Sequence, residues 1–495
     1  MTADPPAIRA VTGIGPVRSA RMNRGIGVLF GLLVAASAQA RPLFVDGFEP
    51  PSIAPLFPVV DGEFQLPPGP AADQLRWLIG ELAAGQTTTI AEIDAHFDPA
   101  WLAQTSAEAT RTFIDSVRSS YPDARITDVI GVTPVRATVV IDSPGSGPPS
   151  GFVSFGTRYA DGGRITLLGV SGYGGSVQYP VDRTLTMSQA VARFATLSSN
   201  PALLVGRIGA GGACTAIDGH QADAPRATAS VFKLWVLGAL GRGIAAGPIA
   251  SAEALPMVAS EIAPGGIINA EPVGTPFTIA ELATLMIGIS DNTATDLLHE
   301  RVGRAALTQV VDAYGVAEPD LLLPFLNISE QFHVFRSFPL AEALGYVQGS
   351  QAYKQQFLTE RIEPLGPNNG GPYFHTDLLT GGTWRASPLD VCRAFGQLRR
   401  LPQGSEALAT VDAALGAQVA QPDVRRGWDR VWYKGGSLSS GAGGYHVLTH
   451  AWMLENAGED PYVVVAMANS QAGGIDPFAV QSVTGRLLEL VRLGR

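Results

Sequence analysis

Three short stretches carry side chains whose types and spacing can do acyl-transfer chemistry. In Ser230-Val231-Phe232-Lys233 a hydroxyl and an amine stand three residues apart at the head of an apolar run through Trp235-Val236-Leu237. Residues three apart return to one side of a helix. An unprotonated Lys233 can take the Ser230 proton and leave an alkoxide-like nucleophile. The free N–H groups of the helix start can receive the charge that develops on an attacked carbonyl. Ser290-Asp291-Asn292 stands between a helical run over 279–289 and another that begins near Thr293. Its serine can relay a proton between lysines and a leaving group, and its asparagine can donate to a substrate carbonyl. Lys434-Gly435-Gly436-Ser437 follows an aromatic strand, Val431-Trp432-Tyr433. A strand edge at Gly436 and Ser437 can align an extended substrate, with Lys434 attracting a carboxylate and the Ser437 N–H completing an oxyanion hole. Each stretch also has a blander explanation: an N-cap serine with a surface lysine, a helix-capping cluster, and a strand-ending turn.

Lysine usage weighs against coincidence. Of 34 basic residues only Lys233, Lys354 and Lys434 are lysine; all the others are arginine. Arginine effectively never loses its proton, whereas a desolvated lysine does. A lysine kept against so strong a bias is therefore a candidate for chemistry that arginine cannot do. Two of the three fall inside the stretches above; Lys354 fits none and is expected on the surface. The net charge of −10 leaves no basic stripe for nucleic acid. It reads as solubility rather than a binding signal. With 46% hydrophobic and 16% charged residues, disorder is excluded for most of the chain.

The elements that must position these residues divide the chain into four parts. Residues 1–40 have arginines at 18, 21 and 24, an apolar run over 26–36 and the end Ser37-Ala38-Gln39-Ala40, the parts of a cleaved secretory signal. Export to the periplasm or beyond follows, with no stable membrane span once it is removed. Residues 41–69 are Pro-rich and read as a tether. Helical periodicity over 74–84, 89–97 and 106–118, then β-rich runs over 136–141, 151–159 and 164–169, predict a small α+β domain over 70–178. Its expected role is packing or substrate restriction. In the second domain, 183–495, strands predicted over 203–208, 213–217, 431–433, 446–454 and 462–466 flank a long helical middle, and a helix over 477–493 closes the chain. That order implies an α+β fold with one sheet assembled from both ends of the domain. Cys214 and Cys392 can pair in an oxidising compartment, but two cysteines so far apart in sequence are weak evidence for a bond, and each is expected as a small buried apolar residue. The seven histidines offer no metal set, and no cofactor is called for. Nothing in the pattern specifies an oligomer.

Taken together and in this order, the three stretches resemble the S-x-x-K, S-D-N and K-T-G motifs of active-site serine β-lactamases and penicillin-binding proteins. The resemblance is closest to the class A β-lactamase-like family and covers roughly 183–495. It extends to Gly274-Thr275-Pro276-Phe277-Thr278-Ile279 and the run from Leu285 through Ser290-Asp291-Asn292 to Asp296. It implies a β-lactamase/transpeptidase-like fold, with Ser230 as nucleophile, Lys233 as its base, Ser290 and Asn292 in the second motif, and Lys434 and Ser437 in the third. Two positions depart from the family. Gly435 replaces the usual threonine. Leu323, in Leu323-Pro324-Phe325-Leu326-Asn327, replaces the glutamate that orients the water for deacylation; Asp320 and Glu330 lie close in sequence. The small domain, cystatin-like or nuclear-transport-factor-like in outline, is similar in its placement to that of clavam-biosynthesis β-lactamase-like proteins. The implied activity is hydrolysis of a β-lactam, ester or peptide-like acyl compound by way of an acyl-enzyme on Ser230. The alternatives are a penicillin-sensitive D-Ala carboxypeptidase or esterase, and a homologue that binds a ligand without turnover.

Overall fold

The computed structural model describes residues 53–60, 62–145, 150–367 and 370–494; the proposed signal lies outside them. Four helices, Pro70–Glu81, Ile90–His96, Pro99–Gln104 and Ala107–Ser120, precede an antiparallel meander of Arg125–Thr133, Arg136–Asp142, Gly151–Thr157 and Ile165–Gly172. Local chemistry sets their starts. Thr89 and Glu92 form a reciprocal capping box, Asp98 caps ahead of Pro99, and Ser106 caps the fourth helix. Leu75, Leu78, Ile93, Phe97 and Ile114 then bury against Val129, Val139, Val153 and Phe155 on one face of the sheet.

The strand Arg125–Thr133 is absent from the sequence expectation, and burial explains why. Val129 and Val132 face the helices, while Ile130, with Val140, packs into a different core. A strand buried on both faces loses the apolar–polar alternation that marks a half-exposed one; its register shifts near Asp128 and Gly131 blur the period further.

The second core belongs to a five-stranded antiparallel sheet ordered Arg430–Ser439, Tyr445–Glu455, Tyr462–Asn469, Ala202–Ile208, Cys214–His220. The first three strands come from the end of the domain and the last two from its beginning, as the sequence order implies. The helices Met187–Phe194 and Pro477–Arg492 cover one face. The other face carries the helical region, centred on Lys233–Ala246. The stretch Ala229–Ala246 is long and apolar enough to cross a membrane. Here its side chains are buried almost all round, as in the central helix of a large core.

Residues 50–495 form one compact unit. Val132 N–H donates to Ala417 O at 2.8 Å and Val419 N–H to Ile130 O at 3.0 Å. The Glu271 carboxylate accepts from the N–H groups of Tyr159 and Ala160, and the Tyr159 hydroxyl donates to Glu281 at 2.9 Å. Thr133 presses on Gly288, where an added Cβ would lie 2.7 Å from its methyl. The meander thus backs the helix Ile279–Gly288 that leads into Ser290.

Two expectations are corrected. The described part of the tether, 53–60 and 62–69, does not run free: Phe57 and Leu66 are buried in the first core and a short hairpin pairs Val59–Val60 with Glu63–Phe64. Apolar residues spaced by prolines carry no period, so their burial is invisible in the pattern. Cys214 and Cys392 are bonded to each other rather than separately buried; the fold brings the strand Cys214–His220 against the helix Pro388–Arg399. Closing so long a loop restricts the unfolded chain, and replacing either cysteine by alanine is expected to cost about 2–5 kcal/mol. A denaturation midpoint unchanged by that substitution would show the crosslink to be idle.

Candidate active site

Ser230 lies in a 3-10 turn, Ala229–Phe232, that feeds the helix Lys233–Ala246. Ala229 is in the left-handed region at φ 44°, which costs energy in a non-glycine residue. The surroundings hold it there. Thr228 N–H and its hydroxyl both donate to Trp384 O. Phe232 stacks on the Trp384 ring at 3.8 Å and touches Phe325 at 5.8 Å. Ser230 itself is only half-buried between buried neighbours, so its hydroxyl stays reachable.

Lys233 is fully buried. Its Nζ donates to Ser290 O at 2.6 Å and to Asn292 Oδ1 at 2.8 Å, with Ser290 Oγ at 3.3 Å. Burial lowers its pKa to about 7, against the opposing pull of Asp291 and Asp296. Lys434, also buried, donates to the same Ser290 Oγ at 2.9 Å and to Gly435 O at 2.6 Å. Burial and then the nearby Lys233 hold it well below the ordinary lysine value. One hydroxyl therefore bridges two desolvated amines, an arrangement that can pass a proton between them.

The capping explanation for the second motif holds for one of its three residues. The buried Asp291 caps the helix Asn292–Val302 through Ala294 N–H and also accepts from Ile267 and Ile268 N–H. With the cap supplied by Asp291, Ser290 sits in the left-handed region at φ 60° and is free to meet the lysines. Asn292, expected to donate to a substrate, uses Nδ2 to donate to Pro264 O at 2.6 Å. An amide nitrogen carries two N–H donors, so one remains.

The third motif is not a strand-ending turn. Lys434 through Ser437 lie inside the strand Arg430–Ser439, which is the edge of its sheet. Gly436 passes so close to the Ser230 turn that a Cβ would lie 2.5 Å from Thr228 O and 2.7 Å from Ser230 N; only glycine permits this approach. Ser437 is exposed on the same edge. Gly435 has a local reason too: a Cβ there would meet the Tyr433 hydroxyl at 2.2 Å. That hydroxyl contacts His450 Nδ1 at 2.8 Å, and burial lowers the His450 pKa to about 4. The buried Tyr433–His450 pair occupies the room a threonine would need. Sequence reading missed the pair, because only strand register sets His450 opposite Gly435.

The loop with Leu323 is clamped from behind. Asp296, fully buried and raised well above its ordinary pKa by burial, accepts from Ile328 and Ser329 N–H at 2.7 and 3.0 Å. His299 and Arg304 bond Phe325 O, and Trp384 Nε1 donates to Leu326 O. Of the two acids close to Leu323 in sequence, Glu330 is taken up by Arg304 and Asn327 N–H, and Asp320 is exposed. Among the described residues no group of three His, Cys, Asp or Glu is placed to hold a metal.

No curated protein matches the chain. Solved structures that match include a PBP-A mutant in an acyl-enzyme complex with penicillin G (18% identity, TM-score 0.41, covering 62% of this chain and 94% of that one). A β-lactamase from Sphaerobacter thermophilus matches at 21% identity and TM-score 0.41, covering 62% and 96%. An ancestral class A β-lactamase matches at 20% identity and TM-score 0.41, covering 63% and 100%. The model of the β-lactamase enzyme family matches residues 215–477, just over half of the chain and all three motifs: the chain belongs to that family.

Proposed function

We propose that the protein is an exported serine hydrolase that is acylated on Ser230 by a β-lactam, an ester or a peptide-like acyl compound. The observation that carries this reading is Lys233: a buried amine with a pKa near 7, three residues from a reachable serine. As a neutral amine it accepts the Ser230 proton while Oγ bonds to the acyl carbon. The carbonyl oxygen gathers charge between the N–H groups of Ser230 and Ser437. Collapse of the tetrahedral species breaks the bond to the leaving group, which takes a proton relayed through Ser290 from the lysines. The free edge of Arg430–Ser439 aligns the substrate backbone, and Lys434 stands behind it on Ser290 Oγ, within the proton relay.

Leu323 favours slow hydrolysis of the acyl-enzyme. An isobutyl group cannot orient or deprotonate water, and Glu330 is committed elsewhere. A long-lived adduct joins this reading to that of a penicillin-sensitive carboxypeptidase or esterase. The Cys214–Cys392 bond supports export, because such crosslinks persist in oxidising compartments.

Intact-protein mass spectrometry after incubation with a penicillin or an activated ester tests the proposal. The expected result is one covalent adduct, mapped to the peptide with Ser230 and absent in Ser230→Ala. No adduct with any acyl donor, or one that persists in Ser230→Ala, would overturn it.

A further inference from the structure

Lys354, the third lysine, was expected on the surface and is instead half-buried in the wall of a cleft. The cleft is lined by the Leu323 loop, by Lys354 of the helix Gln351–Phe357, and by Thr383 and Arg385. Lys354 Nζ donates to the carbonyl oxygen of Asp320 at 3.0 Å, and among the described residues no carboxylate lies within ion-pair distance of it. Arg385, also half-buried, is paired through its backbone with Ala227, but its guanidinium has neither a hydrogen bond nor an ion pair among the described residues. The comparably placed Arg158 and Arg304 pair with Asp98 and Glu330. Thr383, which also lines the cleft, is 7% exposed, and its buried hydroxyl has no hydrogen-bond partner among the described residues.

Two desolvated cations and an orphaned hydroxyl around one space are costly unless something compensates them. The charges that reach them through space do not. Asp320 and Glu318 favour the charged forms of Lys354 and Arg385 respectively, but burial outweighs both and Arg385 repels Lys354. A planar guanidinium fork, an ammonium and a hydroxyl are together the donor set that oxyanions take. The cavity volume of about 40 Å³ admits a few water-sized groups.

We propose that this cleft is a binding subsite for a small oxyanion, a carboxylate or phosphate group, held by Lys354, Arg385 and Thr383 behind the Leu323 loop. The anion is either a free ion or the remote charged end of an acyl donor. The subsite does not depend on the acylation chemistry and is tested without it.

Thermal unfolding with inorganic phosphate against chloride at equal ionic strength is the first arm. Phosphate stabilises proteins generally by exclusion, so the readout is the difference between wild type and variants. The expected result is a saturable rise in Tm whose half-point moves up about ten-fold or more in Lys354→Met and Arg385→Gln, with Lys354→Arg close to wild type. The second arm compares two acyl donors that differ only by a remote carboxylate. A substrate-borne anion makes Lys354→Met raise KM for the carboxylate donor alone, with kcat for the other donor unchanged. Either result supports the subsite and separates the two sources. Identical phosphate responses in wild type and variants, together with no selective change in KM, would overturn it, while the Ser230 adduct could still form.

Discussion

Lys233→Arg is expected to slow acylation about 10,000-fold, the upper end of what general-base catalysis contributes. The substitution fixes a positive charge where the wild type has an amine that titrates near 7, and it adds two heavy atoms to a buried side chain. A guanidinium does not give up its proton at any relevant pH, so it cannot receive the one from Ser230. The wild type has the complementary signature. Below about 7 Lys233 is protonated and cannot act as a base; above it the amine is neutral. The acylation rate constant is therefore expected to rise with pH through an apparent pKa near 7 and then level off. In Lys233→Arg that rise disappears along with the rate. Equal acylation rates in the two proteins, with both folded by circular dichroism, would remove Lys233 from the mechanism.

Asp291→Ala is expected to cost about 3–5 kcal/mol of folding stability. Its carboxylate accepts from Ala294, Ile267 and Ile268 N–H, and all three donors would lose their acceptor, those of Ala294 and Ile268 in buried positions. Burial already pushes the Asp291 pKa up, with these hydrogen bonds and Lys233 opposing it. Removal of the carboxyl also takes away charge that favours the protonated form of Lys233, so the apparent pKa of acylation is expected to fall. Asp291→Asn keeps one acceptor oxygen and is expected to cost less. Urea midpoints of the two variants against wild type measure the difference; equal midpoints would show that Asp291 is not what holds the turn.

Much of this site is legible in the sequence because its parts are local. Ser230 and Lys233 share a helix start, Ser290 and Asn292 share a turn, and each motif is closed within four residues. The sheet built from both ends of the domain was legible for a related reason: its central strands are apolar runs bounded by turns. Arg125–Thr133 was not, because a second packed face erased its period. The Cys214–Cys392 bond was not, because two cysteines carry no pairing information until a sheet edge and a helix are brought together. Lys354 was misplaced for the opposite reason. A lone charged residue on a short polar helix looks solvated until a second helical segment and a loop close over it.

By itself the sequence determined which residues can do the chemistry. Side-chain pKa range, hydroxyl reactivity and helical spacing are properties of residue type and near neighbours, and lysine's scarcity singled out Lys233 and Lys434. Tertiary structure decided what those residues are. Lys233 and Lys434 lie 201 positions apart and meet at one hydroxyl only because the helix start and the edge strand pack around Ser290. The desolvation that lowers both pKa values comes from that packing. So do the room taken by Tyr433 and His450 at Gly435 and the unpaired cations behind Leu323. Burial and charge–charge distance are properties of the assembled chain, and no window of the sequence contains them.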